Sequence, residues 1–136
     1  MRDVQVVSDA SKLGQDITIG AFRLRADEEA DKGGADTGPE PHELMLAALG
    51  ACTSMTLRMY AERKGWPLRE VRVTLNGGPA DGKYGITRQI VMVGDLDAEQ
   101  RQRLLEIANK CPVHRTLTGE VVIQTSEAPR VGETSE

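Results

Sequence analysis

The chain has 136 residues, 39% of them hydrophobic, which is enough for one domain with a packed core and too few for two. Its formal charge of −4, without basic residues interleaved with aromatics, argues against a nucleic-acid partner. The N-terminal residues lack the apolar run of a signal peptide, and the apolar block 44–57 is too short to span a membrane. We expect a cytoplasmic protein with a single domain over residues 1–126 and a mobile tail over 127–136.

The N-terminal part predicts a pair of strands. Residues 4–7 and 15–25 are rich in strand-forming residues, and Lys12, Leu13 and Gly14 can turn the chain between them. Residues 27–43 hold seven acids against one lysine, together with several glycines and prolines. This composition predicts a long loop, which either binds, covers or shapes something or is simply a solvated acidic loop.

A long helix is predicted from Pro41 to Lys64. Proline is favoured at a first helical position, Gly65 ends the helix, and Pro67 prevents it from resuming. The first half of this helix is apolar on every side, which is typical of an internal helix that other elements surround.

The remaining elements follow from local patterns. Residues 70–76 and 84–93 alternate as a hairpin with a loose tip at 76–82, and 120–125 predict a last strand. Asp97 and Gln100 begin a second helix with a capping box, and Pro112 ends it. Antiparallel strands around a buried helix make an α+β fold with the sheet curled around the helix.

Two cysteines, Cys52 and Cys111, carry the candidate chemistry. In a reducing compartment they are expected as thiols rather than as a permanent disulfide, although such a pair can still cycle. Cys52 lies in the middle of the apolar helix, where burial penalises a thiolate, and by itself it is typical of a core cysteine. Cys111 is expected at the end of the second helix, where the helix C-terminus opposes a thiolate and the neighbouring cations favour it.

Two segments carry a resemblance to a known family. GPEPHELMLAALGACTSMTLRMYAERKGWPL resembles the central helix of the OsmC/Ohr family, and KCPVHRTLTGEVVIQT resembles its second cysteine signature. The family comprises osmotically inducible protein C and organic hydroperoxide resistance proteins. The two signatures match in order and spacing, and the resemblance extends over residues 4–125.

The resemblance implies an intertwined homodimer, with two sheets enclosing the central helices of both subunits and two sites at the interface. It also implies that Cys52 attacks an organic hydroperoxide and forms a sulfenic acid. Cys111 then captures this group as a disulfide, which an external dithiol reduces. No metal or organic cofactor is needed for this chemistry.

The sequence differs from the family at the positions whose side chains stabilise the reactive thiolate. Relatives use a glutamate ten positions before the reactive cysteine and an arginine from the N-terminal strands, whereas here His42 stands at the glutamate's position. His42 can hydrogen-bond a thiolate or give a proton to the leaving alkoxide, or it is an ordinary capping or surface residue. Glu43 is the adjacent substitute, but nine helical steps place it about half a turn from the direction of Cys52. Arg23 and Arg25 are the nearest candidates for the arginine.

Other charged residues are expected in structural roles. Arg58 and Arg88 are predicted on solvated faces of a helix and a strand, and His114 and Arg115 are predicted to cap the second helix. This pattern suits a divergent OsmC-like branch of the family.

Two functions therefore remain open from the sequence. The first is a thiol-dependent peroxidase for organic hydroperoxides, favoured by apolar residues around Cys52. The second is a non-catalytic protein that binds a small lipophilic or electrophilic ligand at the dimer interface, favoured by the missing glutamate. An auxiliary module that works with a hydrolase-like partner is a third possibility.

Overall fold

A computed structural model describes residues 1–130 of the chain. Its strands are β1 (Val4–Ser8), β2 (Gln15–Ile19), β3 (Phe22–Ala26), β4 (Leu68–Ala80) and β5 (Lys83–Gly94). Its α-helices are α1 (Pro41–Lys64), α2 (Ala98–Ala108) and α3 (Pro112–Thr118). The α+β class is confirmed, with two antiparallel sheets of order β1-β2-β3 and β4-β5.

The N-terminal sheet contains one strand more than predicted. The segment expected as one strand over 15–25 turns back at Gly20 and Ala21, and β2 pairs with β3 with Ile17 opposite Leu24. Gly20 has φ +59°, a conformation that glycine adopts without the steric cost of a side chain. The glycine therefore makes a tight turn where the alternating pattern alone suggested a continuous strand.

The acidic loop between β3 and α1 is organised by Asp27, which is buried. The Asp27 carboxylate accepts hydrogen bonds from the Thr37 hydroxyl at 2.5 Å and from the Glu28 and Thr37 backbone amides at 2.7 and 3.1 Å. These bonds, that from the Thr37 hydroxyl above all, lower the pKa of Asp27 from 3.8 to about 2. The loop also contains a short 3-10 turn, Ala30–Lys32.

Helix α1 has the predicted bounds. Glu40 and Glu43 form a capping box at its start, Pro41 is its first residue, and Gly65 ends it with φ +72°. By length and composition α1 is apolar enough to cross a membrane, but the core helix of a soluble protein passes the same test.

The exposure of α1 differs from the predicted internal helix. One face packs on β4, where Gly50 permits a close approach, since a Cβ there would lie 2.8 Å from Leu75 Cδ1. Ala47, Ala48 and Ala51 in the first half are exposed, and further along the helix Met55 and Met59 are 64% and 65% exposed. A single chain therefore covers only part of the helix.

The β4–β5 hairpin is longer and tighter than predicted. The strands continue through the expected loose tip and turn at Asp81 and Gly82, whose φ values are +50° and +76°. Positive φ at both central residues is the geometry that Asp-Gly favours in two-residue hairpin turns. Val73 lies opposite Ile90 in the register.

The hydrophobic core lies between the second half of α1, α2 and the β4–β5 hairpin. Its fully enclosed side chains include Leu57 and Leu104, and Trp66 and Ile90 pack against them. Asp97 and Gln100 form the predicted capping box of α2. Arg58 lies on an exposed face, as predicted, and donates a hydrogen bond to the Leu68 carbonyl, which anchors the α1–β4 connection.

Two predictions for the C-terminal part are wrong. The second helix ends at Ala108 rather than at Pro112, and Pro112 is the first residue of α3. Residues 120–125 form no strand, because they pair with no other strand among the described residues, and Ile123 is 82% exposed. Of the predicted tail, residues 127–130 form no helix or strand, and 131–136 lie outside the described residues.

Candidate active site

The two cysteines meet at the first turn of α3. The backbone amide of Val113 donates to Cys52 Sγ at 3.5 Å, and the next amide, that of His114, donates to Cys111 Sγ at 3.3 Å. Both cysteines are free thiols. Adjacent amides of one helical turn thus face the two sulfurs, although the cysteines are far apart in the sequence.

The local setting of Cys111 is the reverse of the predicted one. Cys111 is the N-cap residue of α3 and not the last residue of α2. A proline at the next position disfavours a helical conformation for Cys111, whose φ and ψ of −67° and 146° are extended. The free amides of a helix start stabilise negative charge, whereas the expected helix end would oppose it.

The two thiols differ in accessibility. Cys111 is completely buried, whereas Cys52 is half-buried. Met55 and Met59, which follow Cys52 on α1, are exposed. A small molecule from solvent therefore reaches Cys52 more easily than Cys111.

Arg88 lies beside this pair, although it was predicted to be solvated on its strand. Its Nη1 donates to Thr53 Oγ1 at 3.0 Å, and its Nη2 donates to Asn109 Oδ1 at 2.8 Å and lies 3.2 Å from His114 Nδ1. A signal for this position exists in the sequence: Arg88 alternates with Ile86 and Ile90 on the inward face of β5. The guanidinium joins α1, β5 and α3.

Thr53 connects Arg88 to Cys111. Its hydroxyl donates to the Leu49 carbonyl at 2.7 Å, and its oxygen lies 3.9 Å from Cys111 Sγ. A threonine hydroxyl has one hydrogen, which the Leu49 carbonyl takes, so the donor in the Thr53–Cys111 contact is the Cys111 thiol.

His114 belongs to α3 and does not cap the second helix as predicted. Because an arginine can only donate, His114 Nδ1 accepts from Arg88, and the hydrogen of a neutral ring is on Nε2. Burial, followed by the positive charge of Arg88, lowers the pKa of His114. The ring is therefore neutral at pH 7. Arg115 is exposed on α3.

Within this chain, the predicted supporting residues lie elsewhere. The His42 ring stacks on Tyr84 with centroids 5.1 Å apart, and Glu43 accepts from the Glu40 amide at 2.9 Å in the capping box of α1. Arg25 forms ion pairs with Asp9 and Asp16 at 2.6 and 3.0 Å.

Arg23 is exposed on β3. The described chain thus brings Cys52 and Cys111 together without His42, Glu43, Arg23 or Arg25, and the supporting role of these four residues stays a prediction. The Thr53 hydroxyl and the His114 amide contact Cys111, and Arg88 binds Thr53, His114 and Asn109.

A cavity of about 400 Å³ adjoins this cluster. Leu49, Ile86 and Leu117 line its apolar part, and Arg88, Asn109 and His114 line its polar part. Tyr84 and Thr118 complete the lining. Across residues 1–130, no three His, Cys, Asp or Glu side chains are grouped so that they could hold a metal ion.

The fold and the site define an α+β protein with two juxtaposed thiols on a long helix and a short one. The family model described as OsmC-like protein matches residues 33–126. The chain belongs to the OsmC-like family. A search of curated proteins found no match.

Several solved structures share the fold. An OsmC-like protein from Mycoplasma pneumoniae superposes with a TM-score of 0.73 at 20% identity, covering 88% of both chains. The organic hydroperoxide resistance protein OsmC from Legionella pneumophila gives 0.64 at 22% identity, covering 88% of this chain and 90% of that one. OhrB of Bacillus subtilis, an organic hydroperoxide resistance protein, gives 0.62 at 23% identity, covering 88% and 91%.

Proposed function

We propose that this protein is a thiol-dependent peroxidase that reduces organic hydroperoxides in oxidative stress defence. The observation that carries the proposal is the position of both sulfurs at the first turn of α3, each accepting a backbone N–H. A resolving thiol must lie close to the reactive one, because a sulfenic acid is otherwise open to further oxidation. Solved structures of proteins named for organic hydroperoxide resistance share the fold.

The reaction assigns a separate role to each thiol. The Cys52 thiolate attacks one oxygen of ROOH, the O–O bond breaks, and the alkoxide takes a proton to leave as ROH. The sulfenic acid at Cys52 then reacts with the Cys111 thiol, giving a disulfide and water. A dithiol reductant returns both cysteines to thiols and is itself oxidised to a disulfide. Half-buried Cys52 suits the first role and enclosed Cys111 the second.

The cellular setting follows from this chemistry. Both cysteines must return to thiols in each cycle, and thiols persist in a reducing compartment such as the cytoplasm. The proposal needs no metal or organic cofactor, since the two sulfurs carry all the electrons that are exchanged.

The test is the intact mass of the protein after one equivalent of cumene hydroperoxide. We expect a loss of about 2 Da, reversed by dithiothreitol, because a disulfide forms with release of two hydrogens. Peptide mapping should place the bond between Cys52 and Cys111. In the Cys111→Ser variant, dimedone should instead label a sulfenic acid at Cys52. Two free thiols after exposure to the peroxide would contradict the proposal.

We also propose that the chain forms a homodimer through the open face of α1. Met55 and Met59 on this face are exposed, and Val121, Val122 and Ile123 form a further exposed apolar segment. Apolar surface of this kind usually marks an interface. Light scattering after size exclusion should give about twice the chain mass of 14.8 kDa. Met59→Glu should lower that mass, because it places a charge in the interface, whereas Met59→Leu should not. A monomeric native protein would refute this arrangement.

An alternative is a non-catalytic protein that binds a small lipophilic or electrophilic ligand. The observation in its favour is that His42, Glu43 and Arg25 are engaged away from Cys52. The mass experiment separates the two functions, since a packed pair of cysteines would not form a disulfide with peroxide.

A further inference from the structure

We infer that the cavity beside Arg88 is a binding site for a monocarboxylate with an aliphatic or small aromatic body. The inference concerns ligand binding alone. It does not require peroxide chemistry at the cysteines, so it can fail or hold independently of the proposed function.

The first observation is that the Arg88 guanidinium has no acidic partner among the described residues. Its three hydrogen-bond partners, Thr53, Asn109 and His114, are all neutral acceptors. None of the ion pairs found in residues 1–130 involves Arg88. A guanidinium has five N–H donors and these partners use three, so the Nε–H and one Nη1–H of Arg88 remain to donate charge-assisted hydrogen bonds to a carboxylate. The positive charge of Arg88 is therefore available to a ligand.

The second observation is the polarity of the cavity. Leu49, Ile86 and Leu117 give it apolar walls, Arg88 gives it a cation, and no acidic side chain occurs among its described lining residues. A carboxylate next to Arg88 would place its hydrocarbon body against these apolar side chains. Most ligand sites combine apolar walls with a few polar groups in this way.

The third observation is the charge balance around the cavity. His114 is neutral, since its Nδ1 accepts from Arg88, and so Arg88 is the single positive charge among the described lining residues. One cation matches one carboxylate. The whole chain carries a formal charge of −4, so a preference for anions must come from this local group and not from the general field of the protein.

The experiment compares octanoate with octanamide by isothermal titration calorimetry on the reduced protein at pH 7.5. The two probes have the same hydrocarbon body and differ in charge. We expect octanoate to bind at least about tenfold more tightly, because a charge-assisted hydrogen bond is roughly twice as strong as a neutral one. Equal dissociation constants for the two probes would overturn the inference.

Variants assign the preference to one residue. Arg88→Gln should reduce octanoate affinity to the level of octanamide and leave octanamide binding unchanged. Arg88→Lys should give an intermediate loss, because an ammonium keeps the charge but does not place its donors where the guanidinium does. The matched control is Arg72→Gln, which removes an exposed arginine paired with Glu70 on β4. It should bind octanoate like the native protein.

Two outcomes of the variant series contradict the inference. Retention of the acid preference in Arg88→Gln would place the anion elsewhere, and equal losses in Arg72→Gln and Arg88→Gln would indicate a general charge effect. The comparison of the two probes on the native protein decides the question even where a variant does not fold.

Discussion

Replacing Cys52 with serine is expected to lower kcat/KM for cumene hydroperoxide by about 10³-fold or more, measured by coupled consumption of a dithiol. Losses of this order or larger follow removal of a nucleophile, because only residual binding and electrostatic effects remain. Cys52 is assigned as the nucleophile because it is partly exposed, whereas Cys111 is completely buried. Serine is the matched change, since it preserves size and hydrogen bonding while removing the sulfur.

Cys111→Ser is expected to act on a different step. In a single-turnover experiment with excess peroxide, the first oxidation of Cys52 should keep its rate to within about threefold, since Cys111 does not contact the peroxide in that step. Steady-state turnover should fall, because the sulfenic acid has no neighbouring thiol and proceeds to irreversible products in excess peroxide. Equal losses in the first step for both variants, or a larger loss for Cys111→Ser, would show that the roles of the two thiols are reversed.

Elements marked by local chemistry were predictable from the sequence. Pro41 and Gly65 set the bounds of α1, and Asp97 with Gln100 began α2, because caps and breakers act within a few residues of themselves. The Asp81-Gly82 turn carried an equally local signal, which the neighbouring glycines and the proline obscured. These features need no knowledge of the tertiary structure.

Elements that depend on distant partners were not predictable in the same way. The segment 120–125 has the composition of a strand, but a strand forms only where another strand offers hydrogen bonds, and the described chain offers none. Pro112 is compatible with both the end of one helix and the start of another. Packing of the 111–118 segment against α1 selects the second.

The candidate site likewise has features that local sequence shows and features that depend on distant partners. The two cysteines were identifiable from the sequence, whereas their meeting at α3 depends on the packing of α3 against α1. Arg88 was assigned to solvent because a charged residue on a strand is usually exposed. Its alternation with Ile86 and Ile90 indicated the inward face of β5. The cost of burying part of the charge is offset by hydrogen bonds to Thr53, Asn109 and His114.

Replacing Leu104 with alanine is expected to lower the free energy of unfolding by about 3 kcal/mol, within the range of 2–5 kcal/mol for buried leucines. Leu104 is fully buried in α2 against the core that includes Leu57 and Ile107. The substitution removes apolar contacts and leaves a cavity in the core, which the surrounding structure closes only in part. Urea denaturation followed by circular dichroism measures the change.

The adjacent residue provides the control. Leu105 lies on the same helix but is 42% exposed, so Leu105→Ala has the same effect on helix propensity and loses much less buried surface. We expect a loss below about 1 kcal/mol for this variant. Because the two changes are chemically identical, the difference between them isolates the contribution of burial against α1 and the hairpin, which also hold Cys52 and Arg88 in place. Similar losses for both variants would mean that α2 does not pack on the core through the face that contains Leu104.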